Sequence, residues 1–261
     1  MTTGQRSGAW TAAVRHRLAL GRLLALGDAA DGAWLAERAA TAELRRAAAG
    51  VAGAALDAVR ITLADPEGAG SPAVVPPPGA QPPGPLRIDA EFAAGPGEPL
   101  PALAERLRGA LFRCAVEGLG LRVTAVDLRV TALLDSATRP PAPAGPVGRD
   151  AAEPEGGTGR AVAAVPGVAY LTGTLGRAAV CETAAADGGG ARVRVELATA
   201  AGHRPLDVAR AVRARLAGSP GAPSVTVVVT AVEAPAERTT PRASRTGRPG
   251  SAGRPGSAGK S

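Results

Sequence analysis

The sequence predicts an α+β protein of two tandem two-layer units, each running helix–strand–strand–helix–strand. Three observations predict it. Apolar residues recur with period two in some segments and at steps of three and four in others, which separates strands from helices. One stretch of the chain repeats another in the same order. Gly and Pro concentrate in 66–85, 136–159 and 234–261, which hold 31 of the 59; elsewhere their share is close to that of an ordinary folded chain. The core must be built from Ala, Val and Leu, because only Trp10, Trp34, Phe92, Phe112 and Tyr170 are aromatic.

Residues 9–26 read as an amphipathic helix, with Trp10, Val14 and Leu18 on one side. The first unit, 32–134, opens with a helix over 35–49, rich in the good helix formers Ala, Leu, Glu and Arg. The turn Val51-Ala52-Gly53 ends it, glycine suiting a left-handed position past a helix. A strand follows in which Val59, Ile61 and Leu63 alternate with Arg60 and Thr62. After the Pro-rich insertion 66–85, Leu86, Ile88, Ala90 and Phe92 alternate with Arg87, Asp89 and Glu91. One polar and one apolar side per strand means a sheet covered on one face only. Leu100, Leu103, Leu107, Leu111 and Cys114 then form a helical stripe, and Val126, Leu128 and Val130 the closing strand.

A linker over 135–158 leads to the second unit, 159–233. Residues 86–111 align without gaps to 191–216, seven of 26 positions being identical, among them Arg87/Arg192, Glu91/Glu196, Gly97/Gly202 and Arg108/Arg213. Upstream, 46–56 matches 160–170 at six of eleven positions, the turn recurring as Val165-Pro166-Gly167. Downstream, 126–133 matches 225–232 at four of eight. The second unit's strand has Val193, Val195 and Leu197 against Arg192, Arg194 and Glu196, and its helix has Val208, Val212 and Leu216. Residues 234–261 repeat Arg-Pro-Gly-Ser-Ala-Gly from 248 and from 254, too polar to repay the entropy of ordering, and are expected to be a disordered tail.

Composition removes several classes of function. Two cysteines, Cys114 and Cys181, and two histidines, His16 and His203, offer no closely spaced ligand pairs, so no metal site is expected. The same two cysteines make no framework for a secreted scaffold, although one bridge between them stays open. No run of 18 apolar residues exists, and Arg15, His16 and Arg17 interrupt the start, so neither a membrane span nor a signal peptide is expected. The formal net charge of +7 is uneven: 234–261 carry six cations against Glu237, a net +5, which leaves +2 for the rest.

Candidate sites are few. Gly253 to Ser261 looks like a phosphate loop, but the spacing from Gly253 is one residue too long and Arg254 stands where a glycine belongs. His203 has no neighbouring nucleophile or orienting acid, and reads as a solvated loop residue. Cys114 lies on the leucine stripe and reads as a small core residue. The G-x-x-G matches at Gly50–Gly53 and Gly218–Gly221 are no more than glycine content supplies. Catalytic residues, cofactors and metals are therefore expected to be none. Arg87, Asp89 and Glu91, with Arg192, Arg194 and Glu196, should project from the open sheet faces, either as cross-strand ion pairs or as a docking face for another protein or the sister unit. In the tail, Arg238, Arg242, Arg245, Arg248, Arg254 and Lys260, without interleaved aromatics, suit anionic lipid headgroups, loose phosphate contact with nucleic acid, or equally a plain solubilising role.

Gly32-Ala33-Trp34-Leu35-Ala36-Glu37-Arg38, the Ala-rich helix and the turn Val165-Pro166-Gly167-Val168 resemble the alkaline-shock-protein (envelope stress response) domain, and the strand and helix of 191–216 with the strand 225–232 continue the pattern. The resemblance covers 32–134 and 159–233. The whole-chain layout, with Leu20-Gly21-Arg22-Leu23-Leu24 and Val74-Val75-Pro76-Pro77-Pro78, is similar to the actinobacterial group labelled nucleopolyhedrovirus P-ten family. The alkaline-shock resemblance implies a non-enzymatic protein of the cytoplasm, acting at the inner face of the plasma membrane through a protein partner and linked to envelope stress. The alternative is a weak, sequence-independent nucleic-acid-binding protein that uses its basic tail.

Overall fold

The computed structural model describes residues 20–135, 151–175, 179–183, 191–217 and 224–235. It shows an α+β protein with two sheets. In chain order the elements are β1 (Leu23–Leu26), a 3-10 turn (Ala29–Asp31), β2 (Ala33–Ala36), α1 (Glu37–Ala49), β3 (Ala54–Leu63), β4 (Leu86–Ala94), α2 (Leu100–Arg113), a π turn (Cys114–Leu119) and β5 (Val123–Leu133). They continue with β6 (Ala151–Ala152), α3 (Gly156–Ala163), β7 (Val168–Thr172), β8 (Val180–Thr183), β9 (Arg192–Thr199), α4 (Pro205–Leu216) and β10 (Ser224–Val232). The smaller sheet runs β3-β4-β5; the larger runs β1-β2-β10-β9-β7-β6, with β8 also on β9.

The two halves place equivalent residues alike. β3 is antiparallel to β4 and β4 parallel to β5; β7 and β8 are antiparallel to β9 and β9 parallel to β10. Ile88 faces Val126, and its counterpart Val193 faces Val225. Gly53 and Gly167 both take left-handed φ, +85° and +90°, and their carbonyls accept from Gly95 N (2.7 Å) and Ala200 N (2.8 Å). That conformation costs a side chain about 1–2 kcal/mol, which is why glycine opens each first strand. Arg108 Nε donates to Val126 O at 3.1 Å, and Arg213 Nε to Val225 O at 3.2 Å. Leu103, Leu107 and Leu111 on α2 are fully buried, as are Ala209 and Val212 on α4, so each helix seals the apolar side of its sheet.

Several expectations are corrected. Leu23–Leu26, placed in an N-terminal helix over 9–26, is a buried strand; residues 9–19 lie outside the described residues. Gly21 and Gly27, at φ +70° and +66°, bracket this apolar run of four and set its length, which is too short for a helix. The helix expected from 35 begins at Glu37, because Ala33–Ala36 is an extended strand buried on both sides. That strand does not belong to the sheet of the first unit. It pairs in parallel with β10, Val228 facing Trp34 and Val229 facing Leu35, and in antiparallel with β1. The first unit's boundary at 32 is thus crossed by pairing, and the buried residues of both halves form one contiguous core. The linker 135–158 contains β6, paired with β7, and the start of α3. Gly53 stands four residues beyond α1 and not at its cap, which Gly50 provides in right-handed conformation. The single strand expected after the second turn is split into β7 and β8.

The centre of the larger sheet, at β2 and β10, is covered on both faces, against the one-sided expectation. β10 buries Val225, Val227 and Val229 under the helices, and Thr226, Val228 and Thr230 on the other side. The insertion 66–85 supplies part of that second cover. Val75 O accepts from Thr226 Oγ1 at 3.1 Å, Gln81 O from Trp34 Nε1 at 3.1 Å, and Gly79 O from Leu23 N at 3.4 Å. A parallel strand buried on both faces reads as a continuous apolar run, and 227–229 is Val-Val-Val.

Trp34, 1% exposed, fills the space between β10 and the insertion. Trp34→Ala should destabilise the protein by about 3–5 kcal/mol in a urea titration followed by circular dichroism. Gly53→Ala should cost about 1–2 kcal/mol from its backbone alone, since a Cβ there meets Leu103 at an ordinary 3.7 Å. Gly167→Ala should cost a further ~1–3 kcal/mol, because its Cβ would lie 2.6 Å from Val208 Cγ2 and 2.8 Å from His203 Nδ1.

Candidate functional site: a charged sheet face and an arginine-rich seam

β4 alternates because its apolar residues meet the helices, and this leaves Arg87, Asp89 and Glu91 on the opposite face with Asp127 and Arg129 of β5. Arg87 Nε lies 2.9 Å from Asp127 Oδ2, and Arg129 Nη1 lies 3.6 Å from Glu91 Oε1. Thr131 Oγ1 donates to Asp57 Oδ2 at 3.0 Å. All four ion-pair partners are substantially exposed, so each pair contributes at most ~1 kcal/mol. This face is the open, charged surface expected of the first unit.

The second unit's face is only partly open, Arg192 and Arg194 being half-buried. Glu196, the counterpart of Glu91, is 0% exposed. Its Oε2 accepts from Leu175 N at 2.8 Å, and Arg194 Nε lies 3.5 Å from its Oε1. Thr172 and Thr230 share a hydroxyl–hydroxyl hydrogen bond of 2.8 Å beside it, and Thr230 Oγ1 also reaches Leu197 O at 3.2 Å. Of the six residues expected on the open faces, Glu196 is corrected to a buried position, while Arg192 and Arg194 are half-buried like Asp89 and Glu91. A buried carboxylate needs such donors, because unpaired it would be strongly penalised.

A second concentration of charge lies where the two halves meet. Arg210 binds Asp31 through two hydrogen bonds, Nε–Oδ1 2.7 Å and Nη2–Oδ2 3.0 Å. Arg213 Nη1 donates to Ala30 O at 2.6 Å, Arg204 Nη2 to Val116 O at 2.9 Å, and Arg122 Nη1 lies 3.0 Å from Asp28 Oδ1. Gly27 N reaches Gly120 O at 3.0 Å. Burial pushes the Asp31 carboxyl up, but the Arg210 hydrogen bonds, the Asp28 N–H and the charge of Arg213 outweigh it, so the group stays below the usual carboxylate range. Val74, Arg210, Arg213, Ala214, Ala217, Ser224 and Val225 line a shallow groove of about 410 Å³ beside this seam. Its two arginines already serve the seam. The seam was not foreseen, since no local pattern joins Asp31 to a residue 179 positions away.

The remaining candidates fall apart. His203 is exposed before α4, packed on the Gly167 turn. Cys114 is a free, half-buried thiol at the start of the π turn, held up at about 11 by burial and by the charge of Glu43, against the opposing charge of Arg46. Cys181 lies on β8, backbone-paired with Arg194. Among the described residues no three His, Cys, Asp or Glu side chains converge as a metal would need, and no helix is long and apolar enough to cross a membrane. His16, Gly218–Gly221 and the tail cations Arg238, Arg242, Arg245, Arg248, Arg254 and Lys260 lie outside the described residues. Compared with protein-family models, curated proteins and solved structures, the chain matches none.

Because the Asp31 carboxyl is held below its ordinary value, its contribution to stability is complete above about pH 4 and is lost as pH falls through the lowered value. The stability difference between the native chain and Asp31→Asn should be constant from pH 5 to 8 and shrink below pH 4 in chemical denaturation series. Arg210→Ala should cost about 1 kcal/mol at pH 7.

Proposed function

We propose that this chain is a non-catalytic interaction or scaffold protein, made of two tandem copies of one alkaline-shock-type unit and working in envelope homeostasis at the cytoplasmic side of the membrane. The observation that carries the reading is the unequal exposure of matched surfaces. The two halves share pairing, turns and the helix-to-strand arginine. The first keeps Arg87, Asp127 and Arg129 well exposed and Glu91 partly so. In the second, Glu196, the counterpart of Glu91, is fully buried and held by an internal donor. One half thus serves as the platform and the other offers the surface, a division that suits docking and requires no reaction centre. The basic segment 234–261 adds a non-specific attraction of up to ~1 kcal/mol per cation near an anionic bilayer.

The test is sedimentation with vesicles of 30% anionic lipid at low and physiological salt. The full chain should pellet at low salt and release as salt rises, and removal of 234–261 should abolish pelleting. Salt-insensitive pelleting unchanged by the deletion would remove the tail from the mechanism. Steeply salt-dependent binding to DNA or RNA without vesicle binding would favour the nucleic-acid reading.

A further inference from the structure

Among the described residues β5 is the longest strand, and no strand pairs with its outer edge. The matching edge of β10 is closed by β2, starting from the Val227 N–H, which donates to Gly32 O at 3.1 Å. The position equivalent to Val227 on β5 is Leu128. The consequence for burial is direct: Val229 is 0% exposed beside Leu35, whereas its counterpart Val130 is 39% exposed. Long open edges with apolar residues are templates for pairing.

The sequence of that edge says what it pairs with. Val126-Asp127-Leu128-Arg129-Val130 is self-complementary about Leu128. Placed antiparallel to a second copy on a twofold axis through Leu128, each Asp127 faces the other chain's Arg129, each Val126 its Val130, and Leu128 meets Leu128. Alternation puts the three apolar residues on the helix side and the two charges on the open face. The charge at Asp127 favours this further. It lies directly across from Asp89 in the sheet, a like-charge pair that a second guanidinium would relieve. Register irregularities between Leu86 and Arg87 and between Phe92 and Ala93 leave the stretch from Ala125 to Val130 as the regular part of the ladder, and the complementary five residues fall inside it. We propose that the chain forms a twofold homodimer through β5, joining two three-stranded sheets into one of six strands. Such an interface is isologous, as closed dimers require.

The full chain, free of lipid and of other proteins, is examined by sedimentation velocity over a hundredfold concentration range. A monomer–dimer equilibrium is expected. Asp127→Arg and Arg129→Asp each place like charges at both symmetry-related contacts and should raise the dissociation constant about tenfold; the double swap should return it to within about threefold. Both side chains are more than half exposed, so circular dichroism melts should stay near the native chain's. In a Cys114→Ala, Cys181→Ala background, Leu128→Cys should form an intermolecular disulfide, since facing residues at the axis lie within bridging distance. A monomer at every concentration overturns the proposal and leaves the edge to a foreign strand. A dimer indifferent to the single reversals, or a double swap as weak as either, also overturns it.

Discussion

Four residues, Ala33 to Ala36, belong by chain order to one half of the molecule and by hydrogen bonding to the other. Their parallel pairing with Val227–Val229 seats Trp34 under Gln81 and Leu35 under the helices, and all four are buried. α1 follows without a linker, so the strand's position fixes the helix as well. That helix packs on β3 and α2 of its own half and also contacts β10. A strand-to-helix corner thus ties both sheets to one core, and the short contacts Gly27–Gly120 and Arg122–Asp28 hold the same hairpin. Loss of the pairing would expose both sides of β2 and one edge of β10 together.

Closing that edge changes what the second half needs on its far face. With Trp34 beside Val228, and Val228 beside Glu196, the row across the sheet becomes dry. A carboxylate that is cheap at position 91 is expensive at 196, and must find donors inside the protein. The break between β7 and β8 supplies one. β3 runs as one strand, with a register break between Leu56 and Val59, where the second half has two short strands; after β7 Leu175 N donates to Glu196 Oε2, and before β8 Ala179 O accepts from Glu196 N at 2.8 Å. The split strand is the local answer to a buried charge.

Much of the fold was legible because it rests on local periodicity. Val193, Val195 and Leu197 alternate, Leu103, Leu107 and Leu111 stripe, and the matched register of Ile88–Val126 and Val193–Val225 follows from the gap-free repeat. What was missed shares one cause. Trp34 and Leu35 continue an Ala-rich helical pattern, and nothing within ten residues tells them that β10 is waiting; tertiary pairing overrode propensity. Leu23–Leu26 carried a usable signal, since an apolar run of four between two glycines is the mark of a buried strand. Glu196 aligns with Glu91, and alignment preserves identity while burial is set by the neighbours. Of the candidate surface, the residues Arg87, Asp89 and Glu91 were readable from period two alone, whereas their pairing with Asp127 and Arg129 needed the parallel register.

One reversed charge adds to the pairing that seats the hairpin on the second half. Both helices carry the arginine that ties them to the last strand, Arg108 to Val126 O and Arg213 to Val225 O. A guanidinium has five donors, so that bond leaves others to spend. In the first half the remainder goes to Glu105, one turn back on the same helix. In the second half the position equivalent to Glu105 is Arg210. Freed of that local carboxylate, Arg213 reaches Ala30 O, and Arg210 itself clamps Asp31. A glutamate at 210 would set like charges against Asp31 at the point where the hairpin docks. The change from Glu105 to Arg210 thus turns a charge that serves its own helix into one that reaches the hairpin and reinforces the strand pairing.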